Sequence, residues 1–159
     1  VSGGSKRWVD MVIHAEVGQA VKALRKEGWQ LIAAHPGEGS QDYRDIDYTN
    51  KLAVVLGAEL EGLTPHLVEV ADKTVAIPME GMVASLNVSV AAALILYEAQ
   101  RQRRAAGLYQ SSRLEEDEYK TTLFEWAYPE IAERCRKRGI SYPELKEDGS
   151  LVENPLQVK

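Results

Sequence analysis

Apolar residues fall along this chain in two rhythms: short continuous runs, and positions three or four apart. Val9 to Ile13 reads as a short strand. Val17, Ala20, Val21 and Leu24 then recur at helical spacing, with Arg25 and Lys26 in the last turn and Gly28 as the stop. Trp29 to Ala34 forms a second strand, running into the loop His35-Pro36-Gly37-Glu38-Gly39. Leu52 to Leu56 is apolar throughout, the signature of a strand covered on both faces, and it stops at Gly57. Pro65 opens a short helix to about Ala71, because proline suits a first helical turn. Thr74 to Ile77 is a further strand, broken by Pro78.

The longest helix is expected from Leu86 to about Ala105, ended by Gly107. Its first half, with Val88, Val90, Ala91, Ala92, Ala93, Leu94 and Ile95, is apolar or small on all sides and should be buried. Strands alternating with helices imply right-handed crossovers, hence an α/β fold with a mostly parallel sheet and flanking helices. Leu114 to Trp126 and a segment from Pro129 to Gly139 read as two more helices, a helical tail. Ser141 to Lys159, rich in Pro, Gly and Glu, is expected to attach loosely.

Composition changes this picture little. A chain of 159 residues, 45% hydrophobic and 27% charged, fits a cytosolic globular protein with a core that needs no staples. One cysteine, Cys135, excludes an intrachain disulfide and a cysteine-based zinc site. The apolar run around Val88 to Leu96 is too short to cross a bilayer. The opening Val1-Ser2-Gly3-Gly4-Ser5 is neither signal peptide nor initiator methionine, and suggests a chain that begins part-way through something. The net charge of −5 hides two basic clusters, Arg101, Arg103 and Arg104, and Arg134, Arg136, Lys137 and Arg138. Each suits a solvated helix end, where the dipole favours cations, or contact with phosphates. His14, His35 and His66 lack metal-like spacing and read as solvent-facing; Glu115 to Glu118 suit a helix N-terminus.

Two loops follow predicted strands and carry the candidate chemistry. In Gly57-Ala58-Glu59-Leu60-Glu61-Gly62-Leu63-Thr64, terminal glycines allow a tight turn and close approach to a ligand. Glu59 stands where a dinucleotide fingerprint needs its second glycine, so that motif is excluded. In Ile77 to Ala91, Ser85, Asn87 and Ser89 sit between apolar residues at the start of the long helix. They either cap that helix or face a ligand in a crevice beside strand ends.

Together these segments resemble the SpoU branch of the SPOUT methyltransferases, and within it the tRNA guanosine-2′-O-methyltransferases that act on the D-loop guanosine at position 18. Leu56 to Thr64 is similar to the family's second motif, and Ile77 to Ala91, continuing through Leu96 to Arg103, to its third. Ser2 to Ser5 with Trp8, Asp45 to Thr49, Gly107-Leu108-Tyr109, Tyr128-Pro129 and Arg138-Gly139-Ile140 extend the likeness over nearly the whole chain. Leu60 stands where several relatives carry a basic residue.

The resemblance implies a trefoil knot in the C-terminal part of an α/β domain. Residues 1–109 would be the C-terminal part of a SPOUT catalytic domain and 110–159 a helical extension. It implies S-adenosylmethionine bound by Ala34, Leu56, Gly57, Ile77, Met79, Ser85 and Leu86, with Asn87, Glu59 and Ser85 nearest the chemistry. It implies tRNA as substrate, with Arg101, Arg103, Arg134, Arg136, Lys137 and Arg138 as RNA contacts, and a cytoplasmic homodimer without metal or membrane. The family's first motif, an asparagine and an arginine that handle the ribose proton, belongs upstream of the position matched by Ser2. The alternative readings are an RNA-binding or dimerisation module of this family that has lost catalysis, and an rRNA 2′-O-methyltransferase.

Overall fold

A computed structural model describes residues 9–58, 61–82 and 85–153. Val12–Gln110 form one compact unit, and Ser111 onward belongs to a second. In the first, helix α1 (Val17–Lys26) precedes strands β1 (Gln30–Ala34), β2 (Gln41–Asp42) and β3 (Leu52–Val55). Helix α2 (Pro65–Val70), strand β4 (Lys73–Ala76) and helix α3 (Val88–Ala105) follow. The strands form a parallel sheet in the order β2-β4-β1-β3, so β4 is inserted between two earlier strands.

The sheet is covered on both faces, and the two-residue period of β1 decides which side chain goes where. Ile32 enters a cluster with Ile46, Tyr48, Leu52, Val75 and Ile95, formed by α3 and the 46–48 loop. Ala33 faces the other way, onto Leu63 and Leu67, with Val21 of α1 and Val68 of α2 packed against them. Continuous apolar strands are what such two-sided burial requires.

Three polar devices hold the layers in register. The Thr64 hydroxyl caps α2 by accepting the Leu67 N–H, and Pro65 occupies the first turn. Asp72, just before β4, accepts the Leu31 N–H at 2.7 Å and the Arg25 guanidinium at 2.6 Å, while Arg25 also donates to the Val70 carbonyl. Gln102 of α3 takes the Tyr48 N–H at 2.9 Å and donates to the Ile46 carbonyl at 2.9 Å and to Glu98 at 2.8 Å. The fully buried Tyr48 donates its hydroxyl to the Tyr43 carbonyl, and burial pushes its phenol up to about 12. The Asp45 to Thr49 stretch is thus a core plug clasped by α3.

In the second unit, helices α4 (Glu116–Ala127) and α5 (Pro129–Arg138) pack on Phe124, Ala132 and Cys135, all buried. The chain beyond them departs from expectation. Tyr142 stacks on Phe124 with ring centroids 4.8 Å apart and donates to Glu125 at 2.6 Å, and the Tyr128 hydroxyl reaches the Gly149 carbonyl. Leu145 and Leu151 close a small antiparallel bridge. Residues 141–152 are therefore pinned to the helices, because two tyrosines combine ring packing with a satisfied hydroxyl.

Two other expectations fail. Residues 9–13 form no strand; Val9, Met11, Val12 and Ile13 are exposed, and among the described residues no strand pairs with them. A strand exists only by pairing, which an apolar run cannot itself supply. In α3 only Ile95 is buried, while Val90, Leu94, Leu96 and Tyr97 face outward. An all-round apolar helix predicts cover on all sides, and this chain covers one.

Candidate functional site

Parallel strands all end at one edge of a sheet. Because β1 lies between β3 and β4, the connections leaving its C-terminal end diverge and open a crevice. There the structure forms a cavity of about 560 Å³, within the range of small-ligand sites. Ala34, His35 and Pro36 line it from β1, Leu56, Gly57 and Ala58 from β3, and Ile77 and Met79 from β4. Ser85, Leu86 and Asn87, followed by Val88 and Ala91 of α3, complete the walls.

The β3 wall depends on a backbone crossing. Ala58 and Gly62 exchange two backbone hydrogen bonds, of 3.1 and 2.9 Å, and fold the loop back on itself. A Cβ on Gly57 would lie 2.2 Å from the Gly62 carbonyl carbon and 2.6 Å from the Leu63 nitrogen, so no side chain fits. Gly62 has φ +66, a conformation open chiefly to glycine. The close approach made by Gly57 is thus to its own chain.

At the opposite wall α3 begins. The Asn87 side-chain oxygen accepts the Ser89 N–H at 2.8 Å and its carbonyl accepts the Ala91 N–H, so Asn87, not Ser85, caps the helix. The cap fixes Asn87 beside the cavity, and the aligned peptides of α3 give that end partial positive character.

Ala34, Leu56, Gly57, Ile77, Met79, Ser85, Leu86 and Asn87 therefore share one cavity. Glu59 lies outside the described residues, as does Leu60. Two titratable residues of the lining, Glu61 and His35, lie outside the set of site residues expected from the sequence. Glu61 places a carboxylate at the cavity, and His35, expected to face solvent, is half-buried in its wall. The signal for His35 was its place at the end of a two-sided strand, where a crevice must open.

The basic residues divide by how they are engaged. Arg101 forms a two-pronged pair with Glu98, whose carboxyl is held down to about 2 by that guanidinium and the Gln102 amide. Arg103 donates to the Tyr48 carbonyl at 2.8 Å and to the Asn50 carbonyl, which ties it to the core plug. Arg136 pairs with Glu125 at 3.0 Å and Lys137 with Glu133 at 2.6 Å. Arg134 and Arg138 are exposed and form no ion pair among the described residues. Among those residues no cluster of His, Cys, Asp and Glu could hold a metal, and no helix is long and apolar enough to cross a membrane.

Residues 1–97 match the model of the SpoU rRNA methylase family, and residues 101–154 that of the SpoU rRNA methylase C-terminal region. The chain belongs to the SpoU methylase family. Its relatives include the tRNA (guanosine(18)-2′-O)-methyltransferase of Escherichia coli K12, 43% identical over 94% of this chain and 66% of that protein. The solved TrmH/SpoU tRNA modifying enzyme of A. aeolicus superposes with a TM-score of 0.73 at 42% identity, over 80% of this chain and 65% of that one. The AdoMet-bound rRNA methyltransferase of Sinorhizobium meliloti gives 0.50 at 36% identity, over 54% and 33%. This SpoU chain thus spans about two thirds of the tRNA methyltransferases it matches. The parallel sheet with flanking helices, read from apolar periodicity, is the architecture it shares with the A. aeolicus enzyme.

Proposed function

We propose that this chain carries the cofactor pocket of an S-adenosylmethionine-dependent tRNA (guanosine-2′-O)-methyltransferase acting on a D-loop guanosine. The observation behind the reading is the cavity itself: the segments similar to the family's second and third motifs, separated in the chain by α2 and β4, both line it. Membership of the SpoU family, and relatives named for methylating guanosine 18 of tRNA, supply the substrate class. The knot implied by the resemblance belongs to the same proposal, as does the division into a catalytic part, residues 1–109, and a helical extension, residues 110–159.

The cavity suits the cofactor. Leu56, Ile77 and Leu86 give apolar walls for a nucleoside, and the polar groups at the start of α3 suit its hydrophilic end. When bound, S-adenosylmethionine supplies a methyl group activated by its sulfonium. The chain's own part is positioning. Gly57 lets the β3 wall close, and the capped Asn87 with Ser85 holds a polar edge where the ribose hydroxyl would approach. Glu59 and the family's upstream arginine are the candidates for handling the hydroxyl proton. Arg134 and Arg138, with Arg101, Arg103, Arg136 and Lys137, are the proposed RNA contacts.

Thermal melts with S-adenosylhomocysteine test the pocket. Ligand at a hundredfold excess over Kd adds about 2.7 kcal/mol of stability, several degrees of Tm for a chain this size. No shift with folded protein removes the enzyme reading and leaves a non-catalytic RNA-binding module. Tritiated methyl transfer to unmodified tRNA then tests the chemistry. The 159 residues alone should give no product, and turnover by them would assign the proton acceptor to Glu59 or another residue of this chain.

A further inference from the structure

His35 lines the cavity, yet none of the motif similarity described above assigns it a role. Its backbone is pinned on both sides: the His35 N–H donates to the Val75 carbonyl at 2.9 Å, and its carbonyl accepts the Ser40 hydroxyl at 2.8 Å. The ring is held as well. A Cβ on Gly37 would lie 3.3 Å from Cδ2 and 3.4 Å from Nε2 of His35, so glycine at 37 leaves the room into which the imidazole packs. Among the described residues neither ring nitrogen has a hydrogen-bonding partner. The loop thus places a flat aromatic ring against Gly37 at the cavity wall, beside Pro36, with no hydrogen bond to it among the described residues.

A flat ring fixed against a cavity wall offers a face to a planar ligand group. The other polar residues of the cavity, Glu61 and the Ser85–Asn87 segment, come from different elements and suit charged or hydroxylic parts of a ligand. We propose that His35 is a specificity-determining residue of this pocket, its imidazole stacking on the purine of the bound nucleoside cofactor. The inference rests on the cofactor reading above and adds which half of the ligand meets β1. Stacking of a base on an aromatic side chain is worth about tenfold or more in affinity.

The test uses two probes on the full chain. S-adenosylhomocysteine carries both halves of the ligand; methylthioadenosine keeps the nucleoside and lacks the amino-acid end. Calorimetric titration should show His35→Ala binding both about tenfold more weakly, by a similar factor. His35→Phe, which restores a ring without its nitrogens, should stay within about threefold of wild type. Because the two pinning bonds use backbone atoms, both variants should keep the wild-type circular dichroism and melt. Loss confined to S-adenosylhomocysteine would place His35 at the amino-acid end and overturn the inference. So would unchanged binding by His35→Ala, or a folded His35→Phe as weak as His35→Ala. Failure of wild type to bind S-adenosylhomocysteine removes the cofactor reading and this inference together.

Discussion

At the scale of single residues, the site depends on positions where one side chain alone fits. Gly57 is the sharpest case. Its missing Cβ would sit 2.2 Å from a backbone carbon, and backbone cannot step aside as a side-chain tip can. Gly57→Ala should therefore unfold the 57–63 turn, costing on the order of 1–3 kcal/mol in urea denaturation and abolishing S-adenosylhomocysteine binding. A variant with wild-type stability and affinity would show that the loop relaxes freely and that Gly57 is incidental. The sequence revealed that glycines bracket this loop, but not that Gly57 serves a self-crossing, since proximity to Gly62 and Leu63 exists only after the turn closes. For Asn87 the sequence allows both a cap and a ligand contact. It caps α3, and its position on the cavity keeps the second role open to it.

At the scale of elements, Asp72 joins three of them. Its carboxylate holds the guanidinium at the end of α1 and the Leu31 N–H of β1, and the same Arg25 reaches the end of α2. Desolvation works against the charged form here, but the Arg25 and Leu31 donors outweigh it and leave the carboxyl below its ordinary value. A carboxyl so depressed contributes stability above its unfolded value, near 3.9, and loses it as pH falls through the folded value. Asp72→Asn should cost about 1–2 kcal/mol at pH 7, since the ion pair it removes is partly exposed and the charge-assisted bond to the Leu31 N–H weakens with it. That difference should shrink as pH falls below about 4 and the wild-type carboxyl protonates. A pH-independent difference in denaturant melts would mean that shape, not charge, matters at this position. Elements were the most legible level from the sequence, because apolar runs and Gly or Pro stops are local signals. The two-residue β2 has no apolar period to betray it, and the docking of residues 141–152 rests on Tyr128 and Tyr142, whose partners lie 21 and 17 positions away. The insertion of β4 between β2 and β1 is likewise a pairing fact, invisible to periodicity.

At the scale of the whole molecule, α3 serves both the cavity and the outer surface. Its first turns line the pocket, Ile95 anchors it to the sheet, and Gln102 clasps the core plug. Its outer side carries Val90, Leu94 and Tyr97 at spacings of four and three, 48%, 37% and 74% exposed, with Arg101 continuing the row. The sequence predicted the apolar first half of this helix to be buried, and within one chain Val90 and Leu94 are not. An apolar stripe rimmed by charge on an otherwise anchored helix is the composition of an interface core, and the occupant we propose is a second copy of the chain. In a symmetric pair the same stripe serves both sides, so two like helices cover each other. Light scattering should give about twice the 17.7 kDa chain mass at tens of micromolar. Leu94→Glu with Tyr97→Glu should return the monomer mass, because carboxylates brought together at a desolvated seam repel and lose hydration. The exchanged side chains point away from the sheet core, so the variant should keep its circular dichroism. Because α3 also walls the cavity, the monomeric variant should bind S-adenosylhomocysteine more weakly if the partner steadies that helix. A wild-type chain that scatters as a monomer at these concentrations would remove the dimer and leave the stripe to another partner.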